Sequence, residues 1–276
     1  MVIGAALCVL WACDPGVPDT PDPEGIISVS SFISPQDTLL VVYAHRVRTF
    51  GTIADDEAAA VDDALVLIGD ENTADTLLFN DETYRYELEP KNLIIEAGQN
   101  YTLEIQLSSG NGLSAMCTVP TAPDLPQVSG FRDEEDYLFD LQWTNVANHP
   151  YFALGVAGRG TYELQTPNGT FTVPITPRLD AGSFVLGQQR EMNTTSGIAR
   201  FAYRSTEPVL IVLLRNLDSN MYLFYESFRN ADNWASNNDE GGLPNFRAQQ
   251  SVYSNISSGV GVFGAYNTSV VEEVIE

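Results

Sequence analysis

Tyr101-Thr-Leu-Glu-Ile-Gln-Leu107, Ser108-Ser-Gly-Asn-Gly112 and Leu113-Ser-Ala-Met-Cys-Thr-Val119 are the three consecutive pieces of sequence that decide the fold. Successive side chains of a strand point to opposite faces. Tyr101, Leu103, Ile105 and Leu107 therefore share one face, and Leu113, Ala115, Cys117 and Val119 share another after a Ser/Gly/Asn turn. The spacing predicts a hairpin with one buried face and Cys117 in the core. The same period-two pattern runs back to Ile26. Leu39-Leu-Val-Val-Tyr43 and Ala64-Leu-Val-Leu-Ile68 are denser apolar runs, which predict central strands covered on both sides. Seven or so short strands in about a hundred residues predict a β-sandwich.

Downstream, Thr118-Val-Pro-Thr-Ala-Pro-Asp-Leu-Pro126 breaks the pattern, because closely spaced prolines cannot donate to a strand ladder. Two domains are expected, 26–123 and 124–276. In the second, Tyr137–Trp143, parts of 152–156 and 171–173, and Ile198–Tyr203 alternate as strands, and Pro208-Val-Leu-Ile-Val-Leu-Leu214 reads as a buried one. Leu217, Met221, Phe224 and Phe228 fall on helical spacing, with Asp218 or Ser219 placed to cap. The expectation is an amphipathic helix over 219–231 that lays its stripe on the sheet, followed by a polar loop holding Trp234. The fold class is thus mainly β: a sandwich, then a second β-domain with one amphipathic helix near the C-terminus.

The 276 residues carry a net charge of −24, and Lys91 is the single lysine. Between Asp14 and Asp124 there are 20 acidic and 4 basic residues, against 17 and 9 in the rest. So negative a chain, with no basic patch, repels polyanions; nucleic acid and anionic membrane surfaces are poor partners, and no nucleic-acid partner is expected. Acidic, lysine-poor surfaces also suit high salt, where counterions screen self-repulsion. Apolar content of 44% is enough for real cores.

The opening Met1–Ala12 is apolar throughout and shorter than the roughly 20 residues that cross a bilayer. It has the size of a signal-peptide core, and residues 1–12 are read as one. It ends in Leu10-Trp-Ala-Cys13, which resembles a bacterial lipobox, with bulky Trp11 where a small residue is common. The resemblance implies a diacylglycerol on the Cys13 thiol and acyl chains holding the mature chain to outer-membrane lipid. Residues 13–25 then form an acidic, proline-rich tether, about 3.1 Å per residue if extended. Acidic residues just after such a Cys resemble the signal that sends Bacteroidota lipoproteins to the cell surface. Cys8 would leave with the signal, so Cys117 is the only thiol remaining and no internal disulfide is possible.

No catalytic constellation emerges. His45 and His149 belong to no zinc pattern, no Gly-x-Ser-x-Gly elbow is present, and no metal or cofactor is expected. The acidic clusters at 55–57, 62–63, 133–136 and 239–240 fit no EF-hand loop and read as solvated loops. Aromatics are the better hint: Trp234, Tyr225 and Tyr253 are the candidate ligand-binding residues, because exposed rings stack on sugars or peptides.

The first module resembles the immunoglobulin-like or transthyretin-like modules of Bacteroidota surface proteins in its Val61-Asp-Asp-Ala-Leu-Val66 and Gly98-Gln-Asn-Tyr-Thr-Leu103. Ser254-Asn-Ile256 and Gly259-x-Gly-x-Phe-Gly-Ala265, after the Tyr-rich Met221-Tyr-Leu-Phe-Tyr225, resemble the C-terminal signature of a Bacteroidota lipoprotein family, domain of unknown function 4249. The glycines of this run permit positive φ or close backbone approach, and a clasp on the core is the expected role. The resemblance implies a non-enzymatic outer-membrane lipoprotein, facing the cell surface or the periplasm, working beside a TonB-dependent β-barrel transporter. The alternative is an independent carbohydrate-binding or adhesive module. A glycan hydrolase using paired carboxylates is a third expectation.

Overall fold

In the computed structural model, residues 25–47, 56–90, 92–133, 136–144, 151–166, 169–175, 185–188, 196–203, 209–236 and 252–274 are described. The predicted hairpin is β6 (Asn100–Gln106) and β7 (Gly112–Thr118), paired antiparallel with Tyr101 opposite Cys117. Tyr101, Leu103, Ile105, Leu113, Ala115, Cys117 and Val119 are all buried, as the alternation required. The turn closes through the Leu107 N–H on the Asn111 carbonyl at 2.9 Å, with Gly110 at φ 90°.

Five more strands precede this hairpin: β1 (Ile27–Ile33), β2 (Leu40–Arg46), β3 (Leu65–Gly69), β4 (Ala74–Asn80) and β5 (Arg85–Leu88). A single helical turn, α1 (Asp56–Ala59), lies between β2 and β3. β4 pairs with β3 through its first half and with β5 through its second, so the sheet curls around one core. That core takes Val29 and Ile33 from β1, Leu40 and Val42 from β2, Val66 and Ile68 from β3, and the hairpin's inner face.

The two dense apolar runs are interior strands, as expected, but they are covered on one side only. Tyr43 is 38% and Leu65 is 49% exposed. Both strands belong to a sheet that curls around a core, so one face meets that core and the other meets solvent. Density of apolar residues alone does not distinguish this from two-sided burial.

The second half supplies β8 (Gln127–Asp133), β9 (Asp136–Thr144), β10 (Tyr151–Thr166), β11 (Gly169–Ile175), β12 (Val185–Gln188), β13 (Ser196–Tyr203), β14 (Val209–Leu217), α2 (Ser219–Ser236) and β15 (Val260–Val274). β13, β9 and β8 form a three-stranded sheet. Among the described residues the others join the first half in a 12-stranded sheet. The link is β15. Its first part, Val260–Ala265, pairs parallel with β1, and its second, Tyr266–Val274, pairs antiparallel with β14.

Chain order and spatial order therefore diverge at the expected 123/124 division. β7 ends at Thr118 and β8 begins at Gln127, as the prolines predict. Yet Ile256, Phe263 and Ala265, from the far end of the chain, lie in the first core. The linker itself is strapped down. Asn267 Nδ2 donates to the Pro120 carbonyl at 3.0 Å, Asn216 Nδ2 to Thr121 at 3.0 Å, and Ser269 Oγ to Pro123 at 2.5 Å. Carbonyls that no strand neighbour satisfies find side-chain donors instead.

The glycine-rich ending is a clasp. Asn255 binds both backbone groups of Phe263: its Nδ2 donates to the carbonyl at 2.8 Å and its Oδ1 accepts the N–H at 2.9 Å. Gly261 has φ 116°, and a Cβ there would sit 1.9 Å from the Val29 carbonyl oxygen of β1. Gly264 lets the helix close on the strand, since its Cβ would meet Met221 at 3.0 Å.

Candidate functional site

Helix α2 begins where β14 ends. Asp218 stands at its N-cap and accepts the Met221 N–H on Oδ1 at 2.8 Å, one of the orphan donors of the first turn. The helix packs Met221 and Tyr222 into one cluster with Leu217 at the end of β14 and Ala153 of β10. The predicted stripe begins correctly and then diverges: Phe228 is 51% exposed, while Tyr222 is buried and Tyr225 half-buried. At about 100° per residue, Tyr222 and Tyr225 continue the face started by Asp218, and they meet Tyr151 and Phe32 there.

Between the start of α2 and the edge of the hairpin lies a cleft of about 550 Å³. Asn100, Met116 and Thr118 line it from the hairpin, and Tyr151, Asp218 and Asn220 from the other side. Tyr151 is fixed by stacking on Tyr222, with centroids 4.5 Å apart and planes at 22°. Asn220 bridges the two walls, donating from Nδ2 to the Met116 carbonyl at 2.9 Å. Thr118 donates to Asn100 Oδ1 at 2.6 Å. Cys117 also lines the cleft, but burial holds its thiol well above the ordinary range, so it remains protonated and inert.

Asp218 is the electrostatic centre of this cleft. It is 8% exposed, and burial raises its pKa from 3.8 to about 6. Met221, Ala265, Thr118 and Asn220 pull it back down, but none of them makes a hydrogen bond to Oδ2, which has no partner.

A second polar cluster lies behind the helix. The Tyr266 hydroxyl donates to Asp37 Oδ1 at 3.1 Å, and the Arg215 guanidinium stands 4.5 Å from the Tyr266 ring centroid. Burial pushes Tyr266 up to about 12 and raises Asp37, while it lowers Arg215. Tyr225 belongs beside this cluster, stacked on Phe32 at 5.7 Å.

The three aromatic candidates do not form one site. Tyr253 donates its hydroxyl to Asn220 Oδ1 at 2.8 Å, and its backbone N–H donates to Ser227 Oγ at 2.8 Å. It thereby ties the C-terminal segment to the Asn220/Ser227 side of α2. Tyr225, two residues from Ser227, points about 200° away from that side. Trp234, expected in a loop, has a helical backbone instead, because the helix runs on to Ser236; its side chain lies outside the described residues. Local sequence lets the helix continue, since no Pro or Gly interrupts the chain between Ser219 and Gly241. Cys13 and its tether, His149 and the 239–240 carboxylates also lie outside the described residues. Asp62 and Asp63 are both exposed, as solvated carboxylates should be. No group of three or more His, Cys, Asp or Glu side chains that could hold a metal occurs among the described residues, and none of the described helices is long and apolar enough to cross a membrane.

Sequence reasoning offers Asp218 or Ser219 as the cap, counts Tyr151 only among the aromatics of the second half, and misses Asn100. The cleft forms only where the hairpin edge meets α2, about a hundred residues apart in the chain. No local periodicity encodes that meeting.

No curated protein matches the chain. A crystal structure of a DUF3823 family protein from Bacteroides ovatus ATCC 8483 is similar over 70% of this chain and 91% of that one, at 10% identity and a TM-score of 0.17. The model of the family described as Domain of unknown function (DUF4249) matches residues 14–271, from the residue after Cys13 almost to the end of β15, and the chain belongs to that family.

Proposed function

We propose that this chain is a non-enzymatic surface lipoprotein of a Bacteroidota outer membrane, anchored through Cys13, that captures ligand beside a TonB-dependent transporter or a related outer-membrane complex. The observation that carries the reading is the start of the family match at Asp14, the residue that follows the lipobox cysteine. A family module that begins there is what cleavage before Cys13 would leave. The apolar Met1–Ala12 and the acidic tether support the same reading.

The finer fold reading is an immunoglobulin-like or transthyretin-like sandwich. Seven strands between Ile27 and Thr118 support it, together with the parallel pairing of the first strand with the last. An independent carbohydrate-binding or adhesive module is the second reading, favoured by the aromatic and amide lining of the cleft.

Gentle solubilisation of outer membranes followed by affinity purification of the full chain tests the first reading. A β-barrel partner should be recovered in near-stoichiometric amount. Recovery of the chain alone would contradict the accessory role and leave the independent module.

A further inference from the structure

We propose that the outer edge of β7 is a strand-pairing surface for a second copy of this chain, and that residues 252–258 and the first turn of α2 hold it closed. β7 is the terminal strand of the 12-stranded sheet, and β6 is its only strand neighbour among the described residues. A terminal strand presents N–H and C=O groups that template pairing with another chain. In β7 these outward groups are identified by what they bind. Ser114 donates its N–H to Ser257 Oγ at 2.8 Å and accepts the Ser257 N–H at 2.8 Å. The Met116 carbonyl accepts from Asn220 Nδ2 at 2.9 Å and from Asn255 Nδ2 at 3.3 Å. Antiparallel pairing alternates along a strand, so Gly112 and Thr118 face outward with them.

The cover copies the register of an antiparallel strand without being one. Ser257 stands at Ser114 and Asn255 at Met116, so two steps along the cover match two steps along β7 in the opposite direction. Yet only one of the four bonds joins backbone to backbone, and Ser114 and Ser257 form an isolated bridge rather than a ladder. Ser258, at φ 59°, then turns the chain away. A true strand here would offer its own free edge to the next molecule, whereas a bridge followed by a turn offers none. Ile256, buried in the first core, roots the cover, and the Tyr253 hydroxyl holds Asn220 at 2.8 Å.

Without this cover the edge has nothing to blunt it. Gly112-Leu-Ser-Ala-Met-Cys-Thr118 contains no Lys, Arg, Asp, Glu or Pro, the residues that keep exposed edges from pairing. It is also self-complementary. A two-fold axis through Ala115 sets Ser114 against Met116 of the second copy and Gly112 against its Thr118, so all four outward residues pair. Leu113, Ala115 and Cys117, buried in each copy, then lie on one continuous face of the joined sheet. The occupant that fits this edge is therefore the same strand of another molecule.

The test follows the full mature chain with Cys13→Ser by analytical ultracentrifugation and amide hydrogen exchange. The parent should stay monomeric at about 200 μM. Asn220→Ala with Ser257→Ala removes two side chains of the cover, one half-buried and one exposed. That variant should dimerise with a Kd of about 100 μM or tighter, and the Gly112, Ser114, Met116 and Thr118 amides should gain protection as concentration rises. Adding Ser114→Pro should return the monomer, because proline removes an N–H that β6 does not use and the second copy needs. A dimeric parent, a folded double variant that stays monomeric, a dimer whose β7 amides gain no protection, or one that Ser114→Pro leaves intact would overturn the assignment. Should the double variant lose its cooperative thermal transition, Ser257→Ala alone takes its place, and the same outcomes decide. The measurement needs neither lipid nor partner. Its failure would leave the anchoring and barrel-partner reading standing, and a missing barrel would leave the guarded edge standing.

Discussion

Asn255 does with one amide what a neighbouring strand does with its backbone: it donates to and accepts from Phe263. Phe263 is fully buried, so truncating Asn255 leaves two buried backbone groups without partners. Asn255→Ala is expected to cost about 3 kcal/mol in urea unfolding; a loss below about 0.5 kcal/mol would contradict the clasp. Gly261→Ala should be worse, because φ 116° and a Cβ 1.9 Å from the Val29 oxygen cannot both be relieved while β1 and β15 stay paired. A loss of more than about 3 kcal/mol, or no folded protein, is the expected outcome by thermal unfolding. The glycines were legible in sequence, since their spacing signals positive φ or close approach. Asn255 was legible only as part of a resemblance, because nothing local tells a clasping Asn from a loop Asn.

At the scale of elements, α2 is tuned by its cap. Burial raises Asp218 above its ordinary value, so the folded chain holds that proton more tightly than the unfolded chain does. The group costs nothing extra below about pH 4 and destabilises increasingly as pH rises from 3.8 to about 6, with the full penalty above. Asp218→Asn should therefore be more stable than the parent by about 2 kcal/mol at pH 8 and nearly equal to it at pH 4. An identical difference at both pH values in urea unfolding would contradict the burial argument. The helix was legible from Leu217, Met221 and the cap, whereas its real contact face was not. Phe228 has the right spacing but lies past the part of the helix that the sheet covers, and Tyr222 and Tyr225 find Tyr151 and Phe32 instead. The strands were easier. Period two in 101–119 fixes which residues are inside, although it does not say whether β2 and β3 are covered once or twice.

For the whole molecule, the sequence boundary at the prolines is where the chain leaves the first core, and β15 is where it returns. A fragment of residues 26–123 lacks Ile256, Phe263 and Ala265 and exposes the pairing edge of β1. It should show no cooperative thermal transition, while the chain from residue 26 to 276 should show one. Cooperative unfolding of the fragment would mean that β15 only decorates a self-sufficient domain. Long-range pairing of this kind leaves no mark on local periodicity, so the return of β15 to β1 was not legible in linear order. The account as a whole turns on Cys13, since capture beside a membrane transporter requires an anchor there. The most direct measurement is the intact mass of the chain purified from the membranes of its native cell. The account predicts an N-terminus at Cys13, with the added mass of a diacylglycerol and an amide-linked acyl chain, lost in Cys13→Ser. A mass equal to the unmodified chain, with Met1–Ala12 still attached, would contradict it.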